Sequence, residues 1–159
     1  MNFVSRADVE APIDYVFESL SDFSGFEKAA LRRGAEVLRV DRLGKPARGA
    51  QWQALFTMRQ KPRKVLITLE GYEPHTAMRF DGESKNMQGV LTIDLLELSA
   101  HYTRVQVKMD LHPTNLTARI MLQSMRLAKA RLTERFKART ETFARNIQDR
   151  YHSGMSAGI

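Results

Sequence analysis

Apolar and polar side chains alternate through most of this chain, and helical spacing replaces the alternation near the start and at the end. Phe3, Ser5, Ala7 and Val9 share one face, and Val4, Arg6, Asp8 and Glu10 share the other. That pattern predicts a strand with one wet face. Pro12 then suits the first turn of a helix, where its missing N–H costs nothing, and Ile13, Val16, Phe17 and Leu20 follow as one apolar stripe. Ser24 and Glu27 have capping-box spacing, which predicts a second short helix from Gly25 to Arg33, stopped by Gly34.

From Ala35 to Pro113 the period is two. Ala35–Leu43 is one candidate strand, punctuated by Gly44, Pro46 and Gly49. Ala50, Trp52, Ala54, Phe56 and Met58 form the apolar side of the next, and Val65, Ile67 and Leu69 that of a third. Met78 and Phe80 mark a shorter strand, which Asp81-Gly82-Glu83-Ser84 is read to break. Val90–Leu98 is strongly apolar, and Val105, Val107, Met109 and Leu111 alternate with Arg104, Gln106, Lys108 and Asp110. Consecutive strands joined by short polar loops predict an antiparallel meander, which the N-terminal strand joins.

Pro113-Thr114-Asn115 supplies a stop and a cap for the longest helix. Ala118, Met121, Met125, Ala128, Leu132, Phe136, Phe143 and Ile147 fall on one side of it, at spacings of three, four or seven. A second stripe, Leu116, Ile120 and Leu127, exists only in its first turns. The helix is expected to end near Tyr151–Gly154, giving one domain over 1–153 and a loose tail over 154–159. About 37 residues make roughly 55 Å of helix, against roughly 33 Å for a ten-residue strand. Either the helix is broken or its far end overhangs the sheet. Phe143 and Ile147 on such an overhang would suit a second copy of the chain, a homodimer.

Charge adds one feature. The chain carries 25 Lys and Arg against 18 Asp and Glu, and residues 115–151 hold nine basic and three acidic side chains. Nearly the whole excess therefore lies on the C-terminal helix. It reads either as a solvated helix face or as a surface for phosphates, whether nucleic acid, ribosome or anionic membrane. Aromatic residues do not interleave with these bases, so the stacking platform of single-strand binders is missing. A hydrophobic fraction of 43% and the 159-residue length fit a single globular core. No apolar run reaches the ~18 residues needed to cross a bilayer. The absence of cysteine excludes thiolate metal sites and disulfides, and fits a reducing, cytoplasmic setting. The first residues lack the pattern of a secretory signal.

The element order is strand, two short helices, six strands, long helix. The motifs Ala11-Pro12-Ile13-Asp14-Tyr15-Val16-Phe17 leading to Leu20-Ser21-Asp22-Phe23, and Gly49-Ala50-Gln51-Trp52 opening the third strand, together with the long terminal helix, resemble the START-like helix-grip proteins (the SRPBCC group, with its polyketide cyclase/dehydrase and lipid-transport families). The resemblance spans nearly the whole chain. It implies an α+β fold in which a seven-stranded antiparallel sheet curves around the C-terminal helix, with two short helices between strands 1 and 2. It also implies an apolar pocket between sheet and helix, and functions from lipid carriage to cyclisation.

Large or soft apolar residues on inward faces make the candidate lining: Trp52, Phe56, Met58, Ile67, Met78, Phe80, Met109, Met121 and Met125. Methionine adapts to irregular ligands, and the same residues would equally serve as plain core. The expected occupant is a small hydrophobic or amphipathic molecule such as a lipid, quinone or polyketide. No cofactor is implied. His75, His101, His112 and His152 lack metal-ligand spacing, and no nucleophile elbow or local triad occurs. Asp94 is the sharpest single acid, embedded in Leu91-Thr92-Ile93-Asp94-Leu95-Leu96. An even-length loop before Tyr102 points it inward opposite Val107, and an odd-length loop points it to water. The outward choice is preferred, because an unpaired buried carboxylate is costly. A cyclase-type enzyme would need two inward proton-exchanging groups, and Asp94 has no evident partner, so a binding protein is favoured over an enzyme.

Overall fold

The computed structural model describes residues 1–157 of the chain. The elements in order are β1 (Asn2–Val9), α1 (Ile13–Leu20), α2 (Phe23–Arg32), β2 (Glu36–Arg39), β3 (Gln51–Met58), β4 (Lys61–Glu73), β5 (Ala77–Glu83), β6 (Met87–Ser99), β7 (Tyr102–Pro113), α3 (Leu116–Arg126) and α4 (Lys129–Ala157). All seven strands form one antiparallel sheet in the order β1-β7-β6-β5-β4-β3-β2. Strands β2 to β7 run as a meander, and β1 returns to pair with β7, so β1 and β2 are the two edges. The α+β helix-grip arrangement read from the sequence is the one observed.

Alternation fixes which side of each strand faces the helices. Across the sheet, the register aligns Ile67, Gly82, Gly89 and Leu111 in one inner row. The next row holds Leu69, Phe80, Leu91, Met109 and Phe3. A third holds Tyr72, Met78, Ile93, Val107 and Ser5. The β3–β4 hairpin closes through Arg59 and Gln60, both with positive φ, the backbone of a tight two-residue turn. Irregularities at Leu69/Gly71 and Glu97/Ser99 interrupt the ladders.

Helices α1 and α2 seal one end of the inner face. Val16, Phe17, Leu20 and Phe23 are buried in one cluster with Leu69, Met78, Ile93, Leu95 and Val105. Phe17 packs on Tyr72 at 5.2 Å between ring centroids, and Phe23 on Trp52 at 5.0 Å. The long helix α4 lies along β1, with Phe136 against Phe3 at 5.9 Å and Tyr151 against Tyr15 at 4.9 Å. Ile147 is wholly buried, and Phe143 meets Phe26 of α2 at 5.6 Å.

Several local expectations are corrected. The terminal helix is not continuous: it breaks at Leu127–Ala128 into α3 and α4. The break leaves 29 residues in α4, where Ile147 is buried in the chain's own core and Phe143 packs partly buried against it. The expected tail begins inside a helix, because α4 continues through Gly154 to Ala157; residues 158–159 lie outside the described residues. Helix α2 is capped by Asp22, whose side chain accepts from the Gly25 N–H at 3.1 Å, rather than by Ser24. An Asx cap two residues upstream lets the helix start earlier, and Glu27 is used elsewhere. Gly82 and Glu83 continue β5 rather than break it, with the turn falling at Ser84–Asn86. β2 is only Glu36–Arg39, shorter than the alternation suggested. Asn115 does cap α3, accepting from Ala118 N–H at 2.9 Å.

Candidate functional site

The inner face of the sheet is covered unevenly. Where α1 and α2 sit, Val9, Leu69, Met78 and Thr103 have no more than a trace of exposed surface. Toward the β3–β4 hairpin and the β5–β6 turn, Phe56, Val65, Ile67, Phe80, Leu91, Met109 and Leu111 are only half-buried. These residues keep contact with water although they point to the helix side of the sheet.

The floor there is low. Gly82 and Gly89 stand opposite each other on neighbouring strands, between Ile67 and Leu111. Neither has a positive φ, so the backbone does not demand glycine at either position. A Cβ on Gly82 would lie 3.5 Å from Val65 Cγ1, an ordinary contact, and one on Gly89 would lie 3.3 Å from Leu111 Cδ2. A cross-strand glycine pair in a strand interior leaves a bare stretch of backbone, where something can approach closely.

One cation adjoins this floor. Arg63 lies opposite Phe56 in the β3–β4 register, on the face that carries Val65 and Ile67. Its Nε is buried and has no hydrogen-bond partner. Ser5 Oγ, on the inner face of β1 opposite Val107, is also buried without a partner. A buried donor without an acceptor is costly, and a ligand acceptor would relieve the cost.

The predicted lining divides three ways. Trp52 and Met78 are fully buried core, Trp52 packing on Phe23 and on Phe80 at 6.2 Å. Its indole N–H donates to Glu27 Oε1 at 3.0 Å, which is where the Glu27 carboxylate goes instead of to a cap. Phe56, Ile67, Phe80, Met109, Met121 and Met125 are half-buried, the first four on the sheet and the last two on α3, which packs on β7. Met58 is 40% exposed near the hairpin tip. Gly82, Gly89 and Arg63 were absent from the predicted lining. A glycine inside an alternating strand was the signal for the first two, whereas Arg63 resembles any other basic residue near a turn.

Asp94 is exposed and pairs with Gln106, while Ile93 faces Val107. The irregularity at Glu97/Ser99 sets that register, and the acid points to water as preferred. Histidine, aspartate and glutamate form no cluster of three able to hold a metal among the described residues.

Two solvent-open clefts lie elsewhere. One, of about 280 Å³, is bordered by Asp22 and Ser24 at the α1–α2 junction and by Arg39 and Lys45 from the β2–β3 segment. The other, of about 360 Å³, lies between the outer edge of β1 (Arg6, Asp8) and α4 (Glu141, Arg145). Both are walled mainly by polar groups, so neither is the apolar pocket the fold implies. At the first cleft Asp41 is held far below the usual carboxylate range. The Arg39 guanidinium is the main cause, helped by the Gln51 and Leu43 N–H groups, which donate to Asp41 at 2.7 and 2.8 Å. Arg39 also lies 5.1 Å above the Trp52 ring, so this ion pair braces the loop over the core. Asp8 is lowered by its bidentate pair with Arg104 on the outer face.

No protein-family model matches the chain, and no curated protein matches it. Solved structures do. A protein from Thermus thermophilus aligns over 97% of this chain and 99% of its own, at 17% identity and a TM-score of 0.66. The Zhui aromatase/cyclase from Streptomyces sp. R1128 aligns over 73% of this chain and 70% of its own, at 13% identity and a TM-score of 0.58. A START superfamily protein from Mycobacterium smegmatis aligns over 84% and 95%, at 14% identity and a TM-score of 0.54. At these identities the likeness is one of fold.

Proposed function

We propose that this chain, START-like and helix-grip in its fold, is a binding protein for a small amphipathic molecule, held against the half-covered end of the sheet's inner face. The observation that carries the reading is the contrast along one face: sealed core under α1 and α2, and only half-buried Phe56, Ile67, Phe80, Leu91 and Met109 around the Gly82–Gly89 floor. Leaving that much aromatic and aliphatic surface wet costs about 25 cal/mol per Å², which an apolar ligand would recover. Arg63 supplies the polar end: its unpartnered Nε suits a carboxylate or another acidic or carbonyl-bearing head group. A cyclase in the same place is less favoured, because Asp94, the acid it would need, points to solvent.

Native mass spectrometry of freshly purified protein, followed by titration with laurate and with dodecanol, tests this. A co-purifying lipid-like adduct or saturable laurate uptake is expected. Laurate should bind about tenfold tighter than dodecanol, the worth of one charge-assisted hydrogen bond. Arg63→Gln should abolish that difference, and Gly82→Met, whose Cβ has room beside Val65, should block uptake while the protein still melts cooperatively. A protein that is empty as isolated and takes up neither probe overturns the reading.

A further inference from the structure

Helix α3 is apolar on two opposite sides, and only one of them is used by the fold. Ala118 and Leu122 are buried, with Met121 and Met125 half-buried beside them. The other side carries Leu116, Ile120 and Leu127, which are 71%, 56% and 93% exposed. At 100° per residue these three fall within about 40° of one another, a single outward line. Leu127 is the C-cap of α3, at the break before α4, so it stands at a corner of the molecule. Isolated aliphatic side chains on a surface are ordinary, but three aligned along one short helix are not.

The charge around that line is of one sign. Arg119 and Arg126 run beside it along one side of α3, and Lys129 and Arg131 follow at the start of α4. All four are exposed, and none is paired with a carboxylate among the described residues. From Arg119 to Arg139 the chain carries seven basic residues and a single acid, Glu134. An occupant of this surface must therefore take up aliphatic side chains and offer negative charge together.

We propose that α3 and the start of α4 form a docking surface for an anionic lipid bilayer, with Leu116, Ile120 and Leu127 entering the head-group boundary and Arg119, Arg126, Lys129 and Arg131 lying on acidic head groups. An amphipathic helix with basic flanks lies in a membrane interface in this way, its long cationic side chains reaching back to the phosphates. The same features count against other occupants. A second copy across a two-fold axis would set the all-cationic surface against itself. A nucleic acid would find no aromatic side chain along this line on which to stack a base. The inference stands apart from the inner-face reading, since none of these residues belongs to the half-covered floor.

Sedimentation of the full chain with unilamellar vesicles tests it. Vesicles of phosphatidylglycerol in phosphatidylcholine should pull the protein down, and pure phosphatidylcholine should not. Raising salt from about 0.1 M to about 1 M should release it as screening tightens. Ile120→Ser with Leu127→Ser should weaken binding at least about tenfold without lowering the melting temperature, because both side chains stand in water. Leu31→Ser, at an exposed leucine of α2, is the control and should bind like the parent. Any of these results would overturn the proposal: no sedimentation with anionic vesicles, equal sedimentation of parent and double variant, or a dimer in light scattering that Leu127→Ser dissolves. Binding to polyuridylate without binding to vesicles would do the same and assign the surface to RNA.

Discussion

Trp52→Ala should destabilise the protein by about 3–5 kcal/mol, the range for removing a buried tryptophan. The ring is 4% exposed and is held from three sides. Phe23 approaches it edge-on, Phe80 is tilted against it at 6.2 Å, and the Arg39 guanidinium lies over it. Truncation would open a void at the joint between α2 and the sheet, where relaxation is limited by β2 and β4 on either side of β3. At about 2–4 °C per kcal/mol for a chain of this size, the melting midpoint should fall by roughly 10 °C. Trp52→Phe separates packing from polarity. It keeps most of the ring contacts but leaves the Glu27 carboxylate without its indole donor. A drop for Trp52→Phe as large as that for Trp52→Ala would mean that the hydrogen bond, not the ring, holds α2 in place.

Ile147→Ala is expected to cost about 2–5 kcal/mol, read by denaturant unfolding. Ile147 is 0% exposed and belongs to the same buried cluster as Val9, Ala11 and Val16. It fastens α4 to β1 and α1 together. Leu127→Ala, at a side chain 93% exposed at the α3–α4 break, should change stability by less than about 0.5 kcal/mol. The pair of results measures how firmly the sheet holds its terminal helix. Equal, small effects at both positions would show α4 to be only loosely docked.

Much of this arrangement is written in the period of the side chains. Phe3, Ser5, Ala7 and Val9 alternate, and their inward placement follows. The same holds for Trp52, Ile67, Met78 and Val105, whose strands pair as a simple meander. What alternation cannot settle is set by single non-local choices. The side taken by Asp94 depends on the irregularity at Glu97/Ser99, one residue in one turn. The break at Leu127–Ala128 has no glycine or proline to announce it; Arg126, Leu127, Ala128 and Lys129 are all good helix formers, so tertiary packing decides. Ser24 and Glu27 match a capping box by spacing, yet Asp22 caps the helix and Glu27 meets the indole of Trp52. The candidate site was legible in part for the same reason. Apolar lining residues alternate, so Phe56, Ile67, Phe80 and Met109 could be named. Partial exposure is a property of what fails to cover them, and the Gly82–Gly89 pair arises only from strand register.

Placement of a bound molecule on that floor is tested most directly by methyl NMR of the full chain during titration with laurate. Saturable shifts should gather at Ile67, Leu91, Met109, Met121 and Met125, while Ile147 and Leu20 in the sealed core, and Leu38 on the exposed edge strand, stay where they are. Shifts confined to Leu38 and Leu43 beside the polar cleft, or no saturable shift at any methyl, would contradict the assignment of the inner face as the binding surface.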